Sequence, residues 1–324
     1  MSLTSKLKVA VLRGGPSNEY EISLKSGENV LSSLREADDY EPVDIFISKS
    51  GEWHRDGLVH EPHHALHHVD VVWNALHGSY GEDGQVQRIL ESLKIPFTGS
   101  SAVASALSMN KDMTKEIYKK HSLNTPAHEL IYKGNLDSAK LISIFQTYLP
   151  PVIVKPASAG SSIGVRLASS FAELKDAIKE ALAHSDRVIV EEYIKGREAT
   201  CGVVEKLQDE PLHALAPIEI QIPLGKNFFD YDSKYSGETK EICPGKFTSR
   251  ERTTIKEMSK EAHRALGLRH YSRSDFIITP KGKIYILETN SLPGLTAESL
   301  LPKALKTVGL NSRNFIDHVI KLSL

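Results

Sequence analysis

Only two cysteines occur in 324 residues, Cys201 and Cys243, and no CxxC or CxxH spacing accompanies them. A disulfide framework and a zinc site are not indicated, and both side chains are read as free thiols. No apolar run approaches the roughly 18 to 20 residues that span a bilayer, and the opening "MSLTSKLKVAVL" lacks the shape of a secretory signal. The expected address is the cytoplasm, with no membrane partner. An excess of one charge is missing too. Forty basic side chains face 41 acidic ones, so bulk electrostatics gives no reason to expect a nucleic-acid partner. Neither GxxxxGKS nor GxxxxGKT occurs, which argues against a P-loop. Internal repeats are absent, as is low complexity beyond one histidine cluster.

The length is enough for two or three globular domains. "LKVAVLRGG" reads as a buried strand ending in a glycine turn. Behind it Tyr20, Leu24, Gly27, Leu31 and Leu34 recur at helical spacing, with Asn18 and Glu21 as a capping box. Strands "PVDIFIS" and "VDVVWNAL" alternate with loops or helices, the rhythm of a parallel α/β sheet. Val86, Ile89, Leu90 and Leu93 form one helical stripe, and "PFTGS" punctuates the chain, so a first domain spans 1–98. A second, 99–190, holds a helix around "KDMTKEIYKKH", a strand "PVIVKP", a loop "ASAGSSIG" and a helix "FAELKDAIKEAL". The third, 191–324, follows a soft boundary and contains the hairpin "RSDFIITPKGKIYILETN".

That hairpin carries chemistry. With "PKGK" at 280–283 as the turn, Thr279 pairs with Ile284, and the same register sets Asp275 opposite Glu288 and Arg273 opposite Asn290. Residues two apart on a strand share a face, so all four groups point one way. Opposed carboxylates repel unless something cancels them, and a hard cation such as Mg²⁺ bound through carboxylate and amide oxygens would do so. A surface ion network around Arg273 is the alternative. A cation held by so few carboxylates commonly shares its coordination with phosphates. Lys155 ends a strand before a small-residue loop running to Gly164, whose amides suit a phosphate, and Lys111 opens a helix upstream. Taken singly, the loop also fits an ordinary connection and Lys111 a surface lysine. Glu191 and Glu198 could accept from an adenine amino group and ribose hydroxyls, or be solvated charges. In "HEPHHALHH", His63 with His67 and His64 with His68 stand at helical i, i+4 spacing. An exposed excursion is the preferred reading of this His60–His68 stretch over a metal site, since no third ligand is nearby.

The ordered motifs "GGPSNEYEISL", "ALHGSYGEDG", "PFTGSSAVASALSMNKDMTK", "VIVKPASAGSSIGV", "VEEYIKGRE", "FFDYDSKYSGET", "RSDF" and "LETNSLPGLTAESL" resemble the D-alanine–D-alanine ligase family. These are ATP-grasp enzymes of peptidoglycan synthesis, and the resemblance covers nearly the whole chain. It implies an α/β fold of three domains: an N-terminal parallel α/β domain and two α+β domains sandwiching the nucleotide. It also implies ATP, two Mg²⁺ or Mn²⁺ ions, D-alanine as substrate and a homodimer. Lys111 and Lys155 match lysines on the ATP phosphates, Glu191, Tyr193 and Ile194 the adenine segment, and Glu198 the ribose acid. Asp275, Glu288 and Asn290 match the metal ligands. Glu19 matches the acid that receives the first D-alanine's ammonium, and His77 a histidine beside that substrate. Ser161 and Tyr235 match partners of the Glu19 position, and Lys234 a loop residue that reaches the γ-phosphate. Arg273 and the Gly294 N–H match oxyanion stabilisers, while Ser299 and Leu300 match the second D-alanine's carboxylate site, at a helix start.

Three positions depart from the family pattern near the substrates, one of them Ser291, where threonine is more usual after the asparagine. Ala159 is small where a larger residue is common, and Glu298 adds a negative charge beside Ser299. D-Serine or D-lactate as second substrate, a ligase of L-amino acids and a non-catalytic nucleotide-binding paralogue stay open. Tyr235 favours dipeptide formation, and no metal ligand has been lost.

Overall fold

A computed structural model describes residues 6–158, 164–221, 239–296 and 298–324. The first sheet has the order β4-β3-β2-β1-β5, from β1 (Leu7–Gly14), β2 (Tyr40–Ile47), β3 (Trp53–Arg55), β4 (Leu58–His60) and β5 (Val71–Asn74). β1 is parallel to both β2 and β5. The sheet is mixed rather than wholly parallel, because β3 turns back along β2 and pairs with β4 as a hairpin. Helix α1 (Tyr20–Arg35) buries Val30, Leu31 and Leu34. The expected capping box at Asn18 and Glu21 does not form. Glu19 is the N-cap and makes no side-chain cap, while the Ser17 hydroxyl accepts from the Glu19 N–H. α2 (Pro62–Ala65) has only four residues, so the histidine pairs do not stack along a helix. His63 packs on His64 and His67 on His68 instead, all four exposed. α3 (Gln85–Ser92) buries Val86 and Leu90 against this sheet.

The second sheet, order β6-β9-β7-β8, comprises β6 (His128–Tyr132), β7 (Val152–Pro156), β8 (Arg166–Ala168) and β9 (Arg187–Glu192). Helices α6 (Ser138–Tyr148) and α7 (Phe171–His184) share a core with it. α4 (Ala102–Met109) and α5 (Lys111–Lys120) precede it in sequence yet pack elsewhere. Ala104 and Tyr118 join the core of the third sheet, with Phe276 and Ile286. That sheet comprises β10 (Arg197–Leu207), β11 (Glu210–Ala214), β12 (Ile218–Gln221), β13 (Lys240–Ile242), β14 (Tyr271–Ile278) and β15 (Ile284–Asn290). α8 (Ser249–Ala265), opened by a Thr248–Glu251 capping box, covers one face of it.

The β14–β15 hairpin differs from its sequence reading in two ways that cancel. The innermost pair is Ile278 with Ile284, so the turn is one residue longer than "PKGK". Between the Phe276–Ile286 and Asp275–Glu288 pairs the register shifts, leaving Leu287 as a β-bulge. Asp275 therefore does face Glu288, and Arg273 does face Asn290. Strict alternation would send Ile286 and Glu288 to the same side. With the bulge, Ile284 and Ile286 enter the core while Glu288 and Asn290 turn to the other face.

The first and third sheets meet through the C-terminal helices, α9 (Leu300–Lys306) and α10 (Ser312–Ser323). Phe315 of α10 makes edge contacts with Trp73 of β5 (centroids 6.4 Å apart) and Tyr271 of β14 (5.3 Å), and all three rings are buried. Among the described residues, no helix is long and apolar enough to cross a membrane. Cys201 is buried, Cys243 is half-buried, and both are free thiols. Truncating Phe315 opens a cavity at the joint between two sheets. Phe315→Ala is expected to cost about 3–5 kcal/mol, read as a lowered denaturation midpoint; a loss below about 1 kcal/mol would mean that the joint does not depend on this ring.

Candidate active site

On the face opposite the core, β10, β14 and β15 present Glu198, Thr200, Arg273, Asp275, Glu288 and Asn290. Arg273 grips Asp275 with two bonds, Nε to Oδ1 and Nη2 to Oδ2, each 3.1 Å. Thr200 donates its hydroxyl to Asp275 Oδ1 at 2.6 Å. Across the strand pair, Lys111 Nζ lies 3.3 Å from Glu288 Oε2. Each acid thus has a cation beside it, and their mutual repulsion is offset before any ligand arrives. Asn290 Oδ1 accepts from the Leu292 N–H (2.9 Å), which leaves it a second lone pair. Two carboxylates and an amide oxygen on one face are the hard donor set that suits Mg²⁺ or Mn²⁺ with phosphate oxygens completing the shell. The residues fit such an ion. Among the described residues, no group of three or more His, Cys, Asp or Glu side chains is placed to hold a metal by itself, the histidine stretch included.

Directly behind these acids, Thr289 points into the core. Its hydroxyl is 2.6 Å from the Tyr118 hydroxyl and 2.8 Å from that of Ser274, while Ser108 donates to its carbonyl at 2.5 Å. This network pins α4 and α5, and with them Lys111, to β15. The Lys111 N–H donates to the Ala157 carbonyl just past β7, and His128 of β6 bonds Asp112 at 3.0 Å. α5 therefore bridges the second and third sheets.

Lys155 sits at the end of β7, and the structure gives Glu191 a different setting from a solvated charge. Its carboxylate is buried between two ammonium groups, Lys155 Nζ at 2.6 Å from Oε1 and Lys115 Nζ at 2.9 Å from Oε2. Lys115 is fully buried and was not singled out in the sequence, since a lysine at helical spacing behind Lys111 looks like surface charge. It also donates to the Thr125 hydroxyl (2.9 Å) and the Pro126 carbonyl (3.3 Å). Burial would push the Glu191 carboxyl up, but Lys115 and Lys155 outweigh it and lower it to about 2. For Lys115 burial wins over its partner, and its ammonium falls to about 8. Tyr193 and Ile194 lie half-buried in the link between β9 and β10.

Glu19 reaches the same space from the first sheet. Gly78 packs against it, with φ +71° and an added Cβ only 2.8 Å from Glu19 Oε2, so glycine is required there. His77 is buried, its Nε2 3.0 Å from the Ser26 hydroxyl and its Nδ1 3.3 Å from Glu82 Oε1. Burial pushes Glu82 up with help from Glu19; burial presses His77 down, but the bond to Glu82 together with the charges of Glu82 and Glu19 raises it. Glu82 lies inside a quoted motif and Ser26 just beyond another, yet only contact distances identify their roles.

Ser299 is the N-cap of α9, as expected, with its hydroxyl turned to the Thr296 N–H and hydroxyl at 3.1 and 2.8 Å. A Cβ on Gly294 would lie 2.9 Å from that hydroxyl. Glu298 is exposed and lies 3.4 Å from Lys303, which also pairs with Glu241 at 2.8 Å, so its charge is partly offset. Ser161, Lys234, Tyr235 and Ala159 lie outside the described residues. A cavity of about 540 Å³ collects most of the others: Glu19, His77, Lys111, Arg273, Asp275, Glu288, Asn290, Gly294, Ser299 and Leu300 all line it. Lys155, Glu191, Tyr193, Ile194 and Glu198 are not among its lining residues.

The buried ion group generates a pH prediction. Glu191 has an ordinary value of 4.5 and a folded one of about 2. The stability it contributes is complete above 4.5 and is lost as pH falls toward 2. Glu191→Gln leaves two buried ammonium groups without their carboxylate and is expected to cost about 3–5 kcal/mol near neutrality. In thermal melts between pH 6 and pH 3, the gap between the variant and the unaltered protein should narrow on the acid side. A gap independent of pH would contradict the assignment.

Comparison with known proteins bears on this arrangement. The family model described as "D-ala D-ala ligase C-terminus" matches residues 117–321, and "D-ala D-ala ligase N-terminus" matches residues 8–64 and 55–100. A D-alanine--D-alanine ligase of Geobacter sulfurreducens is 38% identical over 316 residues, covering 97% of this chain and 93% of that protein. One of Aquifex aeolicus is 38% identical over 317 residues, covering 97% of this chain and all of its own length (100%). Among solved structures, the VanG D-Ala:D-Ser ligase of Enterococcus faecalis superposes with a TM-score of 0.85 at 31% identity, over 99% of this chain and 100% of that one. The D-alanine-D-alanine ligase of Coxiella burnetii gives 0.84 at 26% identity, over 98% of this chain and 94% of that one. With both halves matched and relatives of this identity aligned over nearly its whole length, the chain belongs to the D-alanine–D-alanine ligase family and has its ATP-grasp fold.

Proposed function

We propose that this enzyme joins two molecules of D-alanine into D-alanyl-D-alanine, with ATP cleaved to ADP and phosphate, for peptidoglycan precursor synthesis. The observation that carries the reading is the single cavity into which an acid for an ammonium group, a lysine for phosphate, a hard-donor face and an arginine converge. Glu19, backed by Gly78 and near the His77–Glu82 pair, receives the first D-alanine's ammonium and aims its carboxylate inward. That carboxylate attacks the γ-phosphorus of ATP, ADP leaves, and an acylphosphate forms. Lys111 and Lys155 bind the phosphates; Tyr193, Ile194 and Glu198 flank the nucleoside. Asp275, Glu288 and Asn290 would hold two Mg²⁺ or Mn²⁺ ions, which would supply charge neutralisation at the transferring group. The second D-alanine, its carboxylate at Ser299 and Leu300, attacks the acyl carbon through its amine. Arg273 and the Gly294 N–H then stabilise the oxyanion until phosphate departs. The family resemblance supports a homodimer and a cytoplasmic location.

D-Serine as second substrate is the competing reading, favoured by the 31% identity to a D-Ala:D-Ser ligase structure. Phosphate release from ATP, with D-alanine, L-alanine, D-serine and D-lactate offered singly and in pairs, separates them. We expect release to depend on D-alanine, with D-alanyl-D-alanine as product; no D-alanine-dependent release would reject the reading. Glu288→Gln should lower kcat by at least about a hundredfold, the scale of losing one charged contact to the transition state, with the melting temperature nearly unchanged. Retained turnover would remove Glu288 from the metal site.

A further inference from the structure

Glu191 holds two cations, and they are held differently. Lys155 approaches Oε1 from the end of β7, beside the proposed phosphate site, and retains slight exposure. Lys115 approaches Oε2 from inside α5, has none, and is fixed by Thr125 and Pro126 as well. When Lys155 turns from Oε1 to a phosphate, a base amino group can take its place there. The carboxylate would then be buried, and a buried carboxylate without a counter-charge takes up a proton. A protonated acid can donate to a keto oxygen as readily as it accepts from an amino group. Charge on Glu191 is therefore what lets this position tell an amino-bearing base from a keto-bearing one.

We propose that Lys115 is a nucleotide-positioning residue: it neutralises Glu191 from behind, so that Lys155 can move from Oε1 to a phosphate while Glu191 stays an anionic acceptor that selects adenine over guanine. This rests on the ATP-binding reading above, and it assigns Lys115 no contact with the nucleotide. Lys155 and Lys115 differ accordingly. The first exchanges partners during binding, and the second does not move.

The test is Lys115→Met. Losing the ammonium 2.9 Å from Glu191 Oε2 predicts a rise in the KM for ATP of roughly ten- to hundredfold, with kcat and the KM values for D-alanine changed less than about twofold. The preference for ATP over GTP, measured by calorimetric binding without D-alanine, should narrow by a similar factor. An unchanged preference, or a loss of kcat with no change in preference, would overturn the proposal in favour of a purely structural lysine. If Lys115→Met does not accumulate folded, the double variant Lys115→Met with Glu191→Gln removes both members of the pair. It should bind ATP and GTP about equally, and a retained preference for ATP would again overturn the proposal. Because the calorimetry omits D-alanine, its result stands apart from whether the enzyme makes the dipeptide.

Discussion

Asp275 and Glu288 face one another across an antiparallel pair, and the rest of the site follows from how that repulsion is contained. Neighbouring carboxylates of one sign destabilise a strand pair. Here the fork of Arg273 and the hydroxyl of Thr200 hold one, and Lys111 stands beside the other. These partners come from β10, β14 and α5, so the sheet cannot present the acids unless its neighbours are in place. The same arrangement leaves oxygen lone pairs facing the cavity, where a hard cation and phosphates would be attracted.

α5 is the element that carries this constraint across the molecule. Lys111 and Lys115 stand one turn apart, and each serves a different sheet: the first reaches the acids of the third, the second Glu191 of the second. Tyr118, another turn along, is sealed against Thr289 behind the metal face. A short helix with such obligations on both sides fixes the distance between phosphate lysines and metal acids. For a reaction governed by placing charges around a transferring phosphoryl group, that distance is what the fold has to supply.

Much of the site was legible because its residues are close in sequence and alternate on strands. Arg273, Asp275, Glu288 and Asn290 were placed on one face by hairpin reasoning, yet for an incomplete reason. The turn is longer than expected, and the Leu287 bulge restores the pairing. The apolar residues give the physical cause: Ile284 and Ile286 must face the core while Glu288 and Asn290 face out, and even spacing cannot do both. The cap at Asn18, by contrast, lost to a loop in which Ser17 bonds the Glu19 N–H and the His77 carbonyl. Local capping propensity yielded to a contact with a distant loop.

By itself the sequence determined the α/β character, the opposed acids, the helix start at Ser299 and, through ordered motifs, the family. Those properties are written in periodicity and in neighbours a few residues apart. Only the tertiary structure decided that α4 and α5 pack into the core of the third sheet, that His77 meets Glu82, and that Lys115 and Lys155 grip Glu191. Each depends on burial and on contacts between residues far apart in the chain. A lysine on a helix reads the same whether it meets water or a buried carboxylate, and packing alone separates the two.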